Sequence, residues 1–155
     1  MENTNNNTNL TKIEKCVDYA KTTVKFKYYI DENGLKQGLF ESFYENGNPF
    51  IKCTFKDNRL DSLYEEFYEN GQLEIRYTCK DGIYDGLYEE FYENGKLRER
   101  CTYKNGLRQG LFESFYKDGQ VKERCTYKND QLITKSEILI QALISFFLKI
   151  LHSLT

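Results

Sequence analysis

GLYEEFYENGKLRERCTYKNGLRQ (residues 86–109) is the stretch that decides the fold, because three further copies of the same pattern stand around it. These copies begin at Gly38, Ser62 and Gly110, so the period is 24 residues. Each copy has an aromatic-rich run, an Asn-Gly or Asp-Gly pair and a second β-prone run, which is the strongest short-range signal of a β-hairpin. The chain is therefore predicted to be mainly β, with tandem β-hairpin repeats in one elongated, twisted antiparallel sheet.

The turn inside each copy is predicted to be a two-residue type I′ loop. In the second copy such a loop at Asn70-Gly71 places Glu65 opposite Arg76, and every other copy gains an equivalent pair of opposite charges. The four pairs are Glu41 and Lys52, Glu65 and Arg76, Glu89 and Arg100, and Glu113 and Arg124. A three-residue loop would instead place Glu89 opposite Glu99, and facing like charges are destabilising. A second two-residue turn ends each copy, so every position keeps its face from copy to copy.

This register divides the sheet into two faces. The aromatic face carries, in the second copy, Tyr64, Tyr68, Leu73, Ile75, Tyr77 and Cys79. The leucine face carries one leucine and one phenylalanine per copy among the charge pairs, such as Leu87 and Phe91. Glu90 opposite Glu99 falls on the aromatic face and counts against the register. Binding energy concentrates in contiguous aromatic surfaces, so the candidate partner-binding residues are Tyr44, Tyr64, Tyr68, Tyr88, Tyr92, Phe112 and Tyr116.

The segment ahead of the repeats, residues 1–23, is predicted to be an Asn-rich disordered tail followed by a short helix. Thr11 to Glu14 has capping-box spacing, and four apolar residues after it form one helical stripe. These residues are Ile13, Cys16, Val17 and Ala20. Residues 24–133 hold the hairpin repeats and begin with a partial copy that is expected to be the starting edge. The helix would cap that edge, as repeat arrays require.

The segment after the repeats, residues 134–155, is predicted to be an apolar helix that caps the other end. It opens with a second capping box at Thr134 to Glu137. Its polar residues fall on one narrow strip: Gln141, Ser145, Lys149 and His152. A helix of this kind must bury most of its circumference. It can pack on its own sheet, pair with a second copy of the chain, or enter a membrane, where its length is at the short limit and Lys149 is unfavourable.

No catalytic residue, metal site or cofactor is expected. Cys53, Cys101 and Cys125 occupy equivalent positions two strands apart, about 9–10 Å, which is too far for a disulfide or a shared zinc ion. These cysteines are expected to be buried apolar residues. The one histidine, His152, has no nucleophile placed to pair with it. The repeated glutamates are explained by ladder pairing, so the chain is not expected to be an enzyme.

Composition points to one folded domain with no strong charge bias. The chain has 155 residues, and 22 basic against 24 acidic side chains give a net charge of −2. A nucleic-acid partner is therefore not expected. The first residues lack the pattern of a signal peptide, and the five cysteines contain no CxxC pair. A cytoplasmic location is expected, with membrane association through residues 134–155 left open.

The elements YENG-x-L, YKNG and GLYE or GLFE resemble the MORN repeat (membrane occupation and recognition nexus), in the variant form found in bacterial antitoxin-like proteins and large DNA viruses. The resemblance covers about residues 24–133 and includes Tyr92, Asn94-Gly95, Tyr103 and Gly110. It implies a single-layer twisted antiparallel sheet that serves protein association, scaffolding or membrane-proximal placement, with no catalytic residues.

These observations lead to an expected function in protein interaction or scaffolding through the aromatic face, with a protein partner or a second copy covering it. Two alternatives stay open. One is an antitoxin or immunity-type protein that neutralises a partner by binding, which rests on the family resemblance. The other is a membrane-associated protein anchored by the C-terminal helix.

Overall fold

The computed structural model describes residues 9–19 and 22–153, and its strands form one antiparallel sheet in which every strand pairs with its neighbour in the chain. The strands are β1 (Thr11–Tyr19), β2 (Thr22–Ile30), β3 (Lys36–Phe43), β4 (Pro49–Lys56), β5 (Arg59–Phe67), β6 (Leu73–Lys80), β7 (Ile83–Phe91), β8 (Leu97–Lys104), β9 (Leu107–Phe115), β10 (Val121–Lys128) and β11 (Gln131–Ile133). A helix, α1 (Lys135–Ser153), follows β11. The prediction of a mainly β, tandem-hairpin sheet is confirmed.

The turn inside each copy differs from the prediction. In the second copy the amide of Gly71 donates to the carbonyl of Tyr68, and the amide of Tyr68 donates to the carbonyl of Gln72. Gly71 has a positive φ of 85°, whereas Asn70 does not. The loop is therefore a three-residue loop, built from a type I turn followed by a left-handed glycine. The expected type I′ turn at this site was wrong.

The predicted register nevertheless holds, because each copy also contains a β-bulge. Next to the turn Phe67 pairs with Leu73, but one step further Glu66 pairs with Ile75, so Glu74 is the extra residue. The three-residue loop shifts the strand pairing by one residue relative to a two-residue loop, and the extra residue of the bulge shifts it back. All four predicted pairs, including Glu65 opposite Arg76, are therefore directly opposite each other.

The bulge also changes the face on which one residue lies. Residues paired across strands share a face. Leu73 pairs with Phe67, and so it lies on the leucine face rather than on the aromatic face. The rest of the second-copy assignment holds, because Tyr64 pairs with Tyr77 on the aromatic face.

The turns that join one copy to the next have the predicted two-residue length, and they are type I′ turns. Asp81 and Gly82 have φ values of 53° and 81°, and Lys80 pairs with Ile83 directly beyond them. A second irregularity follows, since Cys79 pairs with Tyr84 but Tyr77 pairs with Tyr88. It inserts two residues into β7, an even number, and so the faces are preserved.

The N-terminal helix was a wrong prediction. Residues Thr11–Tyr19 form β1, which pairs with β2 along its whole length, from Thr11 opposite Ile30 to Tyr19 opposite Thr22. The apolar spacing of Ile13, Cys16 and Val17 fits a short helix, but pairing with an exposed strand satisfies a complete row of backbone groups that a short isolated helix would not stabilise. β1, not the partial copy, is therefore the first edge strand. Residues 1–8 and Ala20 lie outside the described residues.

The C-terminal helix is confirmed, together with its capping box. The amide of Glu137 donates to Thr134 Oγ1 at 3.3 Å, and the amide of Thr134 donates to Glu137 Oε2 at 2.8 Å. Within the described part of the chain α1 does not pack extensively on any strand. The interpretation that it covers its own sheet is therefore wrong. None of the described helical residues provides a segment long and apolar enough to cross a membrane.

The core is thin because the sheet is a single layer. The buried apolar residues of the described chain are Cys53, Cys79 and Cys101, which agrees with the expectation for Cys53 and Cys101. Cys125, in the last copy, is half-buried. Most stabilising contact therefore comes from neighbouring strands and from side chains that lie flat against the sheet.

Candidate partner-binding face

The middle of the aromatic face is a cluster of five tyrosines from four adjacent strands. Tyr77 is central: its ring stacks on Tyr64 with centroids 4.5 Å apart and meets the edge of Tyr84 at 4.7 Å. Tyr103 lies 5.1 Å from Tyr84 and 6.0 Å from Tyr88. These Tyr64, Tyr77, Tyr84, Tyr88 and Tyr103 rings are called the tyrosine cluster. Such packed aromatic pairs are stabilising beyond the area they bury.

Burial raises the pKa of the hydroxyls of Tyr64, Tyr77, Tyr88 and Tyr103. For Tyr103 the pKa rises to about 12. The pKa of Tyr88 is raised first by burial and then by the nearby carboxylates of Glu90 and Glu99. These four side chains are therefore neutral at physiological pH, and they offer rings and hydroxyls rather than charge.

Similar but smaller clusters flank the tyrosine cluster, and each holds a cation. At the N-terminal side the Lys36 ammonium lies 5.0–5.7 Å from the ring centroids of Tyr28, Phe40 and Phe55. At the C-terminal side the Arg108 guanidinium lies 4.0 Å from the ring centroid of Tyr127. Tyr84 occupies the equivalent position, 48 residues after Lys36 and 24 residues before Arg108. The middle of the face is thus apolar, whereas both flanks are filled by cation–π contacts.

Three of the predicted site residues link one copy to the next. The hydroxyls of Tyr44, Tyr68 and Tyr92 donate to the carbonyls of Phe67, Phe91 and Phe115, at 2.7–2.8 Å, always 23 residues further along the chain. The side-chain amide of the turn asparagine does the same: Asn46 donates to Glu69, Asn70 to Glu93 and Asn94 to Lys117. The Tyr-x-Asn-Gly motif is therefore an inter-repeat clamp. Sequence reasoning missed this role, although the recurrence of both residues in the first three copies was visible.

The remaining predicted residues lie along the same face but do not form one patch. Tyr64 and Tyr88 belong to the tyrosine cluster, and Phe112 packs against Tyr127 at 6.1 Å. Tyr116 holds the clamp position in the last copy and is 52% exposed. The structure thus separates the seven residues into clamp residues, cluster residues and the C-terminal flank.

The like-charge pair that counted against the register has a structural explanation. Glu90 lies directly opposite Glu99. The bulged residue of this copy, Arg98, places its guanidinium 2.5 Å from the Glu90 carboxylate. Burial and the neighbouring Glu90 still raise the pKa of Glu99. The bulge therefore supplies the cation that this carboxylate pair requires.

The leucine face carries a regular row of exposed apolar residues and a ladder of ion pairs. The row consists of Leu39, Leu63, Leu87 and Leu111, each 39–48% exposed. Two of the expected ion pairs form, Glu41 with Lys52 at 4.0 Å and Glu113 with Arg124 at 2.6 Å. Arg76 bonds to Glu89 of the following copy rather than to Glu65. The Glu113 carboxylate is buried between Arg100 and Arg124, at 2.6 Å from each.

The described part of the chain holds no group of three or more His, Cys, Asp and Glu side chains that could bind a metal ion. Burial raises the pKa of the Cys53 thiol to about 11, which keeps it protonated and unreactive.

Comparison with known proteins agrees with this geometry. The family model described as MORN repeat variant matches four successive segments, residues 36–57, 60–81, 84–105 and 108–129. Each match begins at the strand that follows one inter-copy turn and ends at the next such turn. A search of curated proteins gave no match.

Proposed function

This chain belongs to the MORN repeat variant family, and on that premise we propose that it is a non-catalytic protein-interaction or scaffolding module whose partner binds the aromatic face. The observation that carries the proposal is the tyrosine cluster, an apolar surface of stacked rings in the middle of a regular sheet. Within it Tyr84 packs against Tyr77, Tyr88 and Tyr103 and is 38% exposed.

The tyrosine content of the aromatic face makes it a better candidate for the binding surface than the leucine face. Tyrosine is enriched among the residues that dominate binding energy, whereas leucine is under-represented there. A tyrosine ring also brings a large contact area at a small loss of conformational entropy. In this cluster that loss is smaller still, because neighbouring rings already hold Tyr77 and Tyr88 in place.

Repetition supports a scaffolding role rather than catalysis. Reaction chemistry needs one set of groups held around one substrate, and this sheet instead presents equivalent groups every 24 residues. The clamp bonds of Tyr44, Tyr68 and Tyr92 tie successive hairpins together. A sheet held in this way presents a rigid, extended surface to a partner.

The test compares two double variants with the wild-type protein in affinity capture from a cell extract, quantified by mass spectrometry. Tyr84→Ser with Tyr88→Ser alters the tyrosine cluster and leaves the clamp residues intact. Leu63→Ser with Leu87→Ser is the matched control on the leucine face. We expect the tyrosine variant to lose a specific partner at least 10-fold, while the leucine variant retains it and circular dichroism stays β-like.

Retention of the partner by the tyrosine variant would contradict the proposed face. Equal loss in both variants would also contradict it, because the two pairs lie on opposite sides of the sheet. Tyr68 and Tyr92 are unsuitable for this test, since their substitution also removes clamp bonds.

A further inference from the structure

Helix α1 lies outside the four repeat matches and carries an apolar surface that its own sheet does not cover. Eight of its large apolar residues, between Leu139 and Leu151, are each 55–64% exposed. Exposure of so much apolar surface to water is unfavourable, and a helix of this kind is normally covered by another element.

The apolar residues of α1 follow the spacing of a helix-bundle seam. Ile140, Leu143, Phe147 and Ile150 are separated by three, four and three residues, which is the a/d pattern of a heptad repeat. Exposed apolar residues flank this seam on both sides, with Leu139 and Phe146 on one side and Ile144 and Leu151 on the other. A stripe of this width is typical of helices with more than one neighbour, as in a four-helix bundle.

We propose that α1 is a self-association helix that packs against the α1 helices of other copies of this chain. The available area is sufficient: eight residues with roughly 100 Å² exposed on each give about 800 Å² per helix, the contribution of one partner to a stable interface. An equivalent helix in each copy also presents the same surface, as symmetric assembly requires.

The charges of α1 favour antiparallel neighbours. Its first turn contains Glu137 and its last turn contains His152, three residues after Lys149. In an antiparallel pair the acidic first turn of one helix therefore lies beside the basic last turn of its neighbour. The two helix dipoles are then also opposed, which is the favourable arrangement.

Self-association through α1 has a structural consequence for the repeats. The helix follows β11 with only Thr134 between them, so a bundle of α1 helices gathers several sheets at their C-terminal ends. The proposed contact uses residues of α1 and none of the aromatic face. The inference is therefore independent of the proposed partner-binding face, and the two can fail separately.

The experiment is size-exclusion chromatography with light scattering on the full chain at micromolar concentration. The wild-type protein is expected to have a mass of several chains, with four as the number that the width of the stripe favours. Leu143→Asp combined with Phe147→Asp places two charges in the seam and should weaken association at least 100-fold, giving a monomer. Ser145→Asp, on the polar side of α1, is the matched control and should keep the wild-type mass.

Three results would overturn the proposal: a monomeric wild-type protein, an unchanged mass in the seam variant, or an equal loss in the Ser145→Asp control. Flotation with phosphatidylcholine vesicles tests the other class of partner. A wild-type chain that floats as a monomer, and no longer floats in the seam variant, would assign α1 to a membrane surface instead. Circular dichroism of each variant checks that the sheet is retained.

Discussion

Residue 62 shows how one side chain can conflict with the backbone that its repeat requires. The first residue of each copy has a positive φ, and in three copies it is Gly38, Gly86 or Gly110. In the second copy it is Ser62, with φ of 90°. A side chain is disfavoured in this region, because its Cβ approaches the adjacent carbonyl.

Ser62→Gly is therefore expected to stabilise the protein. Relief of backbone strain contributes roughly 1–2 kcal/mol, and the greater freedom of glycine in the unfolded chain offsets about 0.5–1 kcal/mol of it. Urea unfolding should show a free energy of unfolding higher by about 0.5–1 kcal/mol. Gly86→Ser is the reverse control and should lower stability by about 2 kcal/mol or more, because a Cβ there would lie 2.1 Å from Thr78 Oγ1. A loss of stability in Ser62→Gly would contradict this account.

Tyr68→Phe tests the inter-repeat clamp at a single hydroxyl. The change removes the bond to the Phe91 carbonyl and keeps the ring, so the expected loss is about 1 kcal/mol in the free energy of unfolding. Tyr116→Phe is the matched control, since this hydroxyl forms no hydrogen bond with a described residue, and it should change stability by less than about 0.5 kcal/mol. Equal effects in thermal or urea unfolding would show that the clamp bond does not stabilise the array.

At the scale of strands, Glu113 is the most buried of the described acidic residues that form ion pairs on the leucine face. Hydrogen bonds from Arg100 and then from Arg124 outweigh desolvation and lower the pKa of its carboxyl group. A carboxyl group with a lowered folded-state pKa stabilises the protein above its unfolded pKa. This stabilisation is lost as the pH falls through the folded-state pKa.

Glu113→Gln should therefore reduce stability at pH 7 and reduce its dependence on acid. A loss of about 1–3 kcal/mol at pH 7 is expected, because both arginines keep partial solvent exposure. The wild type and the variant should converge as the pH falls below the ordinary glutamate pKa of about 4.3 and on through the lower folded-state pKa. Glu65→Gln is the control, since no ion pair joins Glu65 to a described residue, and it should have a small effect at both pH values. Parallel pH profiles for wild type and Glu113→Gln in urea unfolding would contradict the assignment.

The strand pairings inside each copy could be predicted from the sequence, but the loop that joins the two strands of a copy could not. Charge pairing at Glu65 and Arg76 fixed the register correctly. An Asn-Gly pair fits both a type I′ turn and a type I turn with a left-handed glycine, so Asn70-Gly71 does not reveal the loop length. The bulge at Glu74 restores the register, so a two-residue loop and the observed three-residue loop give the same strand pairing at Glu65 and Arg76.

The N-terminal segment and the binding face show two further limits of the sequence. In a segment as short as Thr11–Tyr19, the apolar spacing of a helix competes with strand pairing, and the neighbouring strand decides the outcome. Periodicity placed Tyr44, Tyr68 and Tyr92 on the correct face. It gave no indication of their bonds to the next copy, because these depend on the distance between hairpins rather than on the pattern within one.

At the scale of the molecule, removal of one whole repeat should leave a folded sheet. Deletion of residues 62–85 joins Asp61 to Gly86, so the new junction reproduces the existing ones and the clamp from Tyr44 meets Phe91 in place of Phe67. Circular dichroism should stay β-like, with lower stability and a smaller urea m-value because less surface is buried. Deletion of residues 62–84 is the matched control. It moves the downstream side chains to the opposite face of the sheet and should unfold the downstream strands. Equal stability of the two deletions would contradict the role of the 24-residue period.

The clamp bonds also give the array a direction, since each copy donates forward and receives from behind. The hydroxyl of Tyr116, the last of the series, bonds to none of the described residues and is of the kind that its predecessors direct at the next hairpin. Tandem duplication of the gene segment would supply such a hairpin already matched to its neighbour. In this architecture lengthening by whole units needs no new interface, and copy number can vary between relatives while the contacts between units stay the same.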